Sequence, residues 1–339
     1  MLNTLTSLRT ATPSVENDRV YSEALLRTLV YKQGQHILSK IGKKQKIAKN
    51  EGTNKIQWRR YLPLPVASGR HILTEGVNPT GMKIGALTVE GSIATYGAYL
   101  EVSRQLNTYN LDEIVSKYSP LISAHAAETM ELIIQDEIEA NAGEVFAGTS
   151  NTSIDNLEGT DILTLNLLRV VTNTMAANRR MGNEFAGGSK YLVVTSVEGM
   201  QDLLDDSDLR DSIMIAGNTI KPVLDNGMEE FSVYNLKFVQ NVLPFIEENS
   251  TNVQVHSTYV FGESPYAIID LANAGVEFKS FGFDAKTGDN LGLTASIGWV
   301  VMGFGAKVLD AVACVKIKHA VTNPIVRADV YADQTPASL

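Results

Sequence analysis

Between Leu111 and Ala147, apolar residues recur at steps of three and four: Leu111, Ile114, Val115, Tyr118, Leu121, Ile122, Met130, Ile133, Ile134, Ile138 and Val145. That spacing keeps them on one helical face. Pro120 interrupts the pattern, and Ser119 before it suits an N-cap with proline at the first helical position, so a short helix followed by a long one is expected. From Pro120 to Ala147 the long helix takes about 28 residues, roughly 42 Å at 1.5 Å per residue. Gly143 weakens its last turns and Gly148 is the expected stop. The opposite face carries Asp112, Glu113, Glu128, Glu131, Asp136, Glu137, Glu139 and Glu144 against a single Lys117. So many acids cannot be paired within the helix, and their positive partner is expected elsewhere.

On either side of this segment the pattern changes. Residues 1–20 are polar and patternless, which by itself predicts a flexible tail, and a neighbouring subunit is expected to order it. Tyr21 to Leu38 reads as an amphipathic helix through Leu25, Leu26, Leu29, Val30 and Ile37, and Ile41 to Asn54 as an exposed, lysine-rich connector. From Lys55 to Leu62 the period is two, as in a strand, until Pro63 and Pro65 end it. Strand-like sequence resumes at Leu87 to Gly91 and Ile93 to Val102, giving an extended hairpin with little core of its own. After a linker-like run, Thr149 to Ser153, a mixed lobe follows. Its first helix, capped by Thr160 or Asp161, runs through Leu163, Leu167, Val170, Val171 and Met175. Tyr191 to Thr195 reads as a buried strand and is followed by a short acidic helix through Met200, Leu203 and Leu204. Strands are expected within Phe231 to Val242, Val253 to Phe261 and Tyr266 to Asp270. Leu293 to Phe304 and Lys307 to Lys318 read as two more, joined through Gly303 and Gly305. The fold class is α+β.

Composition sharpens this reading. At 339 residues the chain exceeds the roughly 250–300 at which single cores stop growing, so two lobes are expected. The net charge of −9 hides a division: Arg27 to Lys83 holds twelve Lys and Arg against Glu51 and Glu75, or +10, leaving −19 on the remainder. A basic arm on an acidic body suits nucleic acid, head-to-tail attraction between copies of the chain, or simply a set of solvated surface lysines. Trp58 and Tyr61 in the arm could stack on bases, but the −19 body repels a nucleic-acid backbone, and cross-strand packing explains them better. Cys314 is the only cysteine, so an intrachain disulfide and a cysteine-rich zinc site are excluded. No stretch reaches the roughly 18 consecutive apolar residues of a membrane span, and the N-terminal residues lack a signal-peptide core.

Catalytic chemistry finds little support. Gly187-Gly188-Ser189-Lys190 has lysine after serine and lacks the spacing of a phosphate-binding loop, and Gly303-Phe304-Gly305 lacks the third glycine of a dinucleotide fingerprint. His36, His71, His125, His256 and His319 show no metal-binding spacing, and His125 reads as packed or hydrogen-bonded. Asp202, Asp205, Asp206 and Asp208 lack the glycine and glutamate of a calcium loop. No nucleophile elbow supports a serine triad. No enzyme activity, cofactor or metal is expected.

Four stretches carry a resemblance: Trp58-Arg59-Arg60-Tyr61, Leu73-Thr74-Glu75-Gly76-Val77-Asn78-Pro79-Thr80-Gly81, Ala94-Thr95-Tyr96-Gly97-Ala98-Tyr99 and Tyr259-Val260-Phe261-Gly262-Glu263-Ser264-Pro265-Tyr266. With their order around the acidic helix, the chain resembles tailed-bacteriophage major capsid proteins of the Hong Kong 97 fold, in the N-four-type branch, over about Tyr21 to Ala320. The resemblance implies an N-terminal arm (1–54), an extended E-loop hairpin with its return strand (55–102), a P-domain with a long spine helix (103–158), an inserted A-domain (159–290), P-domain return strands (291–322) and a C-terminal tail (323–339). It also implies hexamers and pentamers closing into an icosahedral head around double-stranded DNA that is contacted without sequence specificity. The partners it implies are a portal and, in some relatives, a decoration protein, with no membrane. Only about 20 polar residues precede the first helix, too few for a cleavable scaffolding segment, so a separate scaffolding protein is expected. The virion is the expected location, with assembly in the bacterial cytoplasm. An encapsulin-like compartment shell is the alternative within the fold, and a nucleic-acid-binding protein the alternative outside it. The expected inter-subunit contacts pair Arg59, Arg60, Arg70 and Lys83 of one copy with acidic residues of another, Glu75, Glu131, Glu137, Glu139 and Glu144 among the candidates.

Overall fold

Strand-period sequence on both sides of the long helix closes into two sheets, and the alternation along each strand decides which core a side chain enters. The computed structural model describes residues 2–3, 36–48, 53–62, 64, 73–78, 81–109, 114–148, 151–188, 190–215, 223–225, 228–272, 275–283 and 291–325. The expected helix from Tyr21, most of the N-terminal tail, Arg70 and the chain beyond residue 325 lie outside them.

The N-terminal third contains β1 (Leu2–Asn3), α1 (Leu38–Ile41), β2 (Lys43–Ile47), β3 (Lys55–Tyr61), β4 (Ala86–Ser92), β5 (Ala94–Ser103) and α2 (Arg104–Tyr109). The long helix α3 (Ile114–Asn141) then leads to β6 (Gly143–Phe146), α4 (Leu165–Ala177), β7 (Tyr191–Ser196), α5 (Val197–Asp205) and α6 (Ser207–Ile215). Next come β8 (Val223–Asp225), β9 (Met228–Val233), β10 (Leu236–Asn241), β11 (Ile246–Glu248) and β12 (Gln254–Phe261). The chain returns through β13 (Tyr266–Leu271), β14 (Val276–Phe281), β15 (Thr294–Val308) and β16 (Cys314–Ala320).

The first sheet has the order β1-β5-β15-β13-β2, with β14 also on β15; the second runs β6-β16-β12-β7-β10-β9-β8, with β11 on β12. β3 and β4 form a separate antiparallel ribbon. β7 is buried on both faces, as a strand within a sheet covered on both sides must be. Its Leu192 and Val194 join Ile134 and Ile138 of α3, Tyr259, Phe261 and Trp299 in a central core. Tyr191 and Val193 point the other way, into a core with Leu168, Met175, Leu203 and Phe238 under α4 and α5.

Several expectations are corrected. α3 is one continuous helix of 28 residues through Pro120. Proline deletes one backbone bond, at a cost of about 3 kcal/mol, but the helix is packed on both sides of it: Tyr118 meets Leu100 and Val102, and Ile122, Met130 and Ile133 join the central core. The helix ends at Asn141, before the expected Ala147, because the Gly143 N–H donates to the Ala311 carbonyl at 3.2 Å and the chain turns into β6, parallel to β16. Lys43 to Ile47 is no connector but a strand parallel to β13. Burial raises the Asp270 carboxyl on β13, and Lys44 and Lys46 alongside partly offset this. The helix expected from Thr160 or Asp161 starts at Leu165, with Thr164 as cap, because Ile162 is held in a bridge to Ala320. Finally, Gly303 and Gly305 join no pair of strands. β15 runs through both, with a bulge between Met302 and Phe304; Gly303 has φ +98°, and a Cβ on Gly305 would collide with the Ser92 carbonyl. The turn comes instead at residues 309–313.

The sequence segments interleave. β13 and β14, from 159–290, pair with β15 from 291–322, and β16 lies between β6 and β12. Each sheet is therefore built from both sides of the boundary at 290.

Candidate assembly surfaces

The ribbon of β3 and β4 carries more apolar surface than it buries. Its base is held where Gly91 leaves room for Trp58 and Ile269; a Cβ there would come within 2.5 Å of Ile269 Cδ1. Trp58 is thus a packing residue, as the alternation suggested. Farther out, Tyr61, Leu62, Leu64, Leu73, Val77, Met82, Ile84 and Leu87 are each 45% to 69% exposed. Arg59, Lys83 and Glu75 are exposed on the same projection.

Arg60 points the other way. Its Nη1 lies 2.6 Å from Asp310 Oδ2, and Arg180 Nε lies 2.5 Å from the same oxygen. Asp310 Oδ1 also accepts from the Val312 N–H at 3.1 Å. One carboxylate in the turn before β16 therefore ties the ribbon, the loop after α4 and its own turn together.

The acidic candidates on and after α3 have partners within the chain. Glu131, which is buried, accepts from the N–H groups of Ile37 at 2.7 Å, Leu38 at 2.6 Å and Ser39 at 3.0 Å, closing the N-terminus of α1. Glu137 meets Lys307 at 2.9 Å and accepts from the Val308 N–H. Glu139 meets Lys318 at 2.9 Å and accepts from the Tyr259 hydroxyl at 2.7 Å. Lys316 reaches Glu144 at 3.1 Å, and Lys318, itself buried, also meets Glu247 and lies over the Phe245 ring. The positive partner expected elsewhere is thus largely on β15 and β16 of the same chain. The sequence did carry a signal for this. Lys316 and Lys318 alternate with Val315 and Ile317, so both lysines project from the face of β16 opposite the one those apolar residues fill.

A second exposed surface, part apolar and part charged, lies on the outer face of the first sheet. Tyr99 stands beside Gly298, and Gly97 beside Val300. The two glycines leave a flat strip bordered by the exposed side chains of Tyr99 and Met302 and, on β14, of Phe281, Lys279 and Glu277. Nothing in the sequence pattern singled out this strip, since its residues alternate with core positions on three strands far apart in the chain.

The most chemically suggestive cluster is buried. His256 and His319 are direct register partners on β12 and β16, with ring centroids 6.2 Å apart. Thr258 Oγ1 lies 2.7 Å from Thr195 Oγ1 and 2.8 Å from His319 Nε2, and His256 Nδ1 lies 3.0 Å from Ser196 Oγ. Ser196 is also the N-cap of α5, accepting from the Gly199 N–H. Ser196, His256, Thr258 and His319 are at most 0% exposed, so no substrate reaches this serine–histidine pair. Burial drives the His319 pKa down to about 4 and pushes the Cys314 thiol far up. Both stay neutral and inert near pH 7. His125 accepts from the Trp299 indole N–H at 3.1 Å, as a packed histidine does. Among the described residues no group of three or more His, Cys, Asp or Glu could hold a metal ion.

The chain thus combines a long helix backed by two sheets with an outlying ribbon that exposes many apolar side chains. Known structures share this fold. The capsid of Ralstonia phage GP4 matches 93% of this chain and 99% of its own at 10% identity, with a TM-score of 0.66. The capsid structure of cyanophage P-SCSP1u matches 88% and 91% at 13% identity and 0.61. The head structure of Helicobacter pylori bacteriophage KHP40 matches 91% and 98% at 10% identity and 0.60. At such identities the likeness establishes the fold, the one expected of a Hong Kong 97-type chain. Among curated proteins no relative matches. The family model described as phage capsid protein matches residues 86–317, from the inner strand of the ribbon through α3 and both sheets to β16, and so the chain belongs to the phage capsid protein family.

Proposed function

We propose that copies of this capsid protein assemble head to tail through the ribbon of β3 and β4, forming the hexamers and pentamers of a tailed-phage head that encloses double-stranded DNA. The reading is supported by eight exposed apolar side chains on a two-stranded projection, a structure that is marginal in water until something covers it. On a neighbour, the flat strip offers Tyr99, Met302 and Phe281 for such side chains to cover, with Glu277 beside them. Arg59 and Lys83 supply the positive charge, and Asp136 and Glu144, both exposed, are the acids on and beside the long helix best placed to meet it. Arg60, Glu131, Glu137 and Glu139 serve the fold of the single subunit, a narrower set of contacts than charge alone suggested. The role is structural and needs no catalysis. A separate scaffolding protein and a portal complete the assembly in the host cytoplasm, a decoration protein is compatible with it, and the acidic body suits DNA held without base contacts.

The test is shell yield by sedimentation. Exposed ion pairs contribute only about 0–1 kcal/mol each, so R59E and K83E should leave a folded subunit that assembles more slowly. Raising salt should mimic them, as the screening length falls from about 10 Å at 0.1 M to about 3 Å at 1 M. Leu62→Asp with Ile84→Asp should abolish shells while leaving the subunit's thermal unfolding unchanged. Normal shells from that double variant would refute the role of the ribbon.

A further inference from the structure

β14 is an exposed edge. It lies along β15, with Val276 opposite Val301 and Phe281 opposite Ser296, and among the described residues no strand pairs with its other side. Glu277 to Phe281 are all exposed, Phe278 and Phe281 by more than half. A bare edge of this kind pairs with extended chain, and proteins normally cover or blunt it.

The sequence of the edge indicates its partner. Read antiparallel to itself, Glu277-Phe278-Lys279 is self-complementary when Phe278 faces Phe278, because each Glu277 then lies opposite the other copy's Lys279. Among the registers available to two identical strands, this one alone puts opposite charges across from each other. Centring the pair on Lys279 or on Glu277 puts like charges together, which is destabilising. Within one chain the Lys279–Glu277 contact is loose, at 3.6 Å with both side chains more than half exposed, so both charges are available to a closer partner. Head-to-tail contacts alone build rings, and joining rings into a closed shell requires contacts of another kind, of which two-fold, self-complementary ones are the commonest in closed assemblies.

We propose that β14 is the two-fold contact of this protein: two copies pair antiparallel along Val276–Phe281, with Phe278 on the axis, merging their first sheets into one continuous sheet. This rests on the self-assembly proposed above and specifies a second interface that the ribbon cannot supply.

The test uses the full chain, whose native Cys314 is buried. Particles of F278C are oxidised and run on a non-reducing gel. Residues directly opposite on antiparallel strands have Cα atoms about 4.5–5.5 Å apart, within the roughly 4.4–6.8 Å that a disulfide spans. F278C should therefore run as a dimer, while S280C, about four positions from its own copy at some 3.4 Å each, should stay monomeric. In the F278C background, E277K or K279E should lower dimer yield about tenfold by making two like-charge pairs, and the double reversal should restore it. Shells that assemble without an F278C dimer, or with S280C dimerising equally, overturn this inference alone. A chain that forms neither shells nor dimers overturns the self-assembly reading with it.

Discussion

Replacing Glu131 by alanine should destabilise the isolated subunit by about 3–5 kcal/mol. The carboxylate serves three backbone N–H groups, of which those of Ile37 and Leu38 are buried and that of Ser39 partly so. Leaving a buried donor unpaired costs about 1–3 kcal/mol, so the two buried ones account for most of the loss, with less from Ser39, where water can enter. Glu131→Gln separates the parts. Its oxygen can still accept from Ile37 and Leu38, but its NH2 faces the Ser39 N–H, so about 1–2 kcal/mol is expected. Urea unfolding of unassembled subunits measures both, and amide exchange at residues 37–39 localises the effect. Against a typical domain stability of about 5–15 kcal/mol, the alanine variant stands out clearly. If Glu131 instead met a neighbouring subunit, both variants would unfold like wild type and lose only shell yield, and that result would refute the capping role.

Acid should weaken the subunit through His319. The unfolded side chain takes up its proton near pH 6.5, whereas the folded one stays neutral to about pH 4, chiefly because it is buried. The unfolded state therefore binds more protons in between, and stability that is complete above pH 6.5 is lost as pH falls toward 4, by about 3 kcal/mol; His319→Gln should show a shallower slope in urea midpoint against pH. Asp310→Asn loosens Arg60 and Arg180, each about a third exposed, so after solvent screening roughly 1–2 kcal/mol is expected. Arg60→Gln should speed amide exchange in the ribbon alone, and unchanged exchange there would mean that Trp58 holds it unaided. Gly303→Ala must adopt φ +98° with its Cβ 2.9 Å from Ile93 Cδ1, so a loss of about 1–3 kcal/mol in thermal or urea unfolding is expected, and a wild-type midpoint would show that the bulge relaxes.

What the sequence revealed was local in origin. The 3.6-residue period located α3, the two-residue period located β3, and short strand-rich runs bounded by turn residues located β7, β12 and β13, because each pattern lies within one element. β2 was missed because its hydrogen-bond partners on β13 are about 220 residues away, and three lysines in five residues look like solvent-exposed chain. The acidic face of α3 was misread for a related reason. Counting acids does not show where they point, yet Glu131 stands three and seven residues before Ile134 and Ile138, in line with the buried stripe. Arg59 and Lys83 stand exposed on the ribbon. Asp310 went unnoticed because a lone aspartate in a turn carries no signal until Arg60 and Arg180 arrive from elsewhere in the chain.

The interleaved strands govern when a newly made chain becomes usable. β2 must wait for β13, and β5 for β15, so at about 5–20 residues per second the early strands stand unpaired for roughly 10–45 s during synthesis. The ribbon emerges early, but the sheet that supports it, the flat strip beside Tyr99 and the lane along which β14 lies all depend on β15, made about 190 residues after β5. A chain that has not yet released β15 therefore carries its ribbon without the sheet on which it rests.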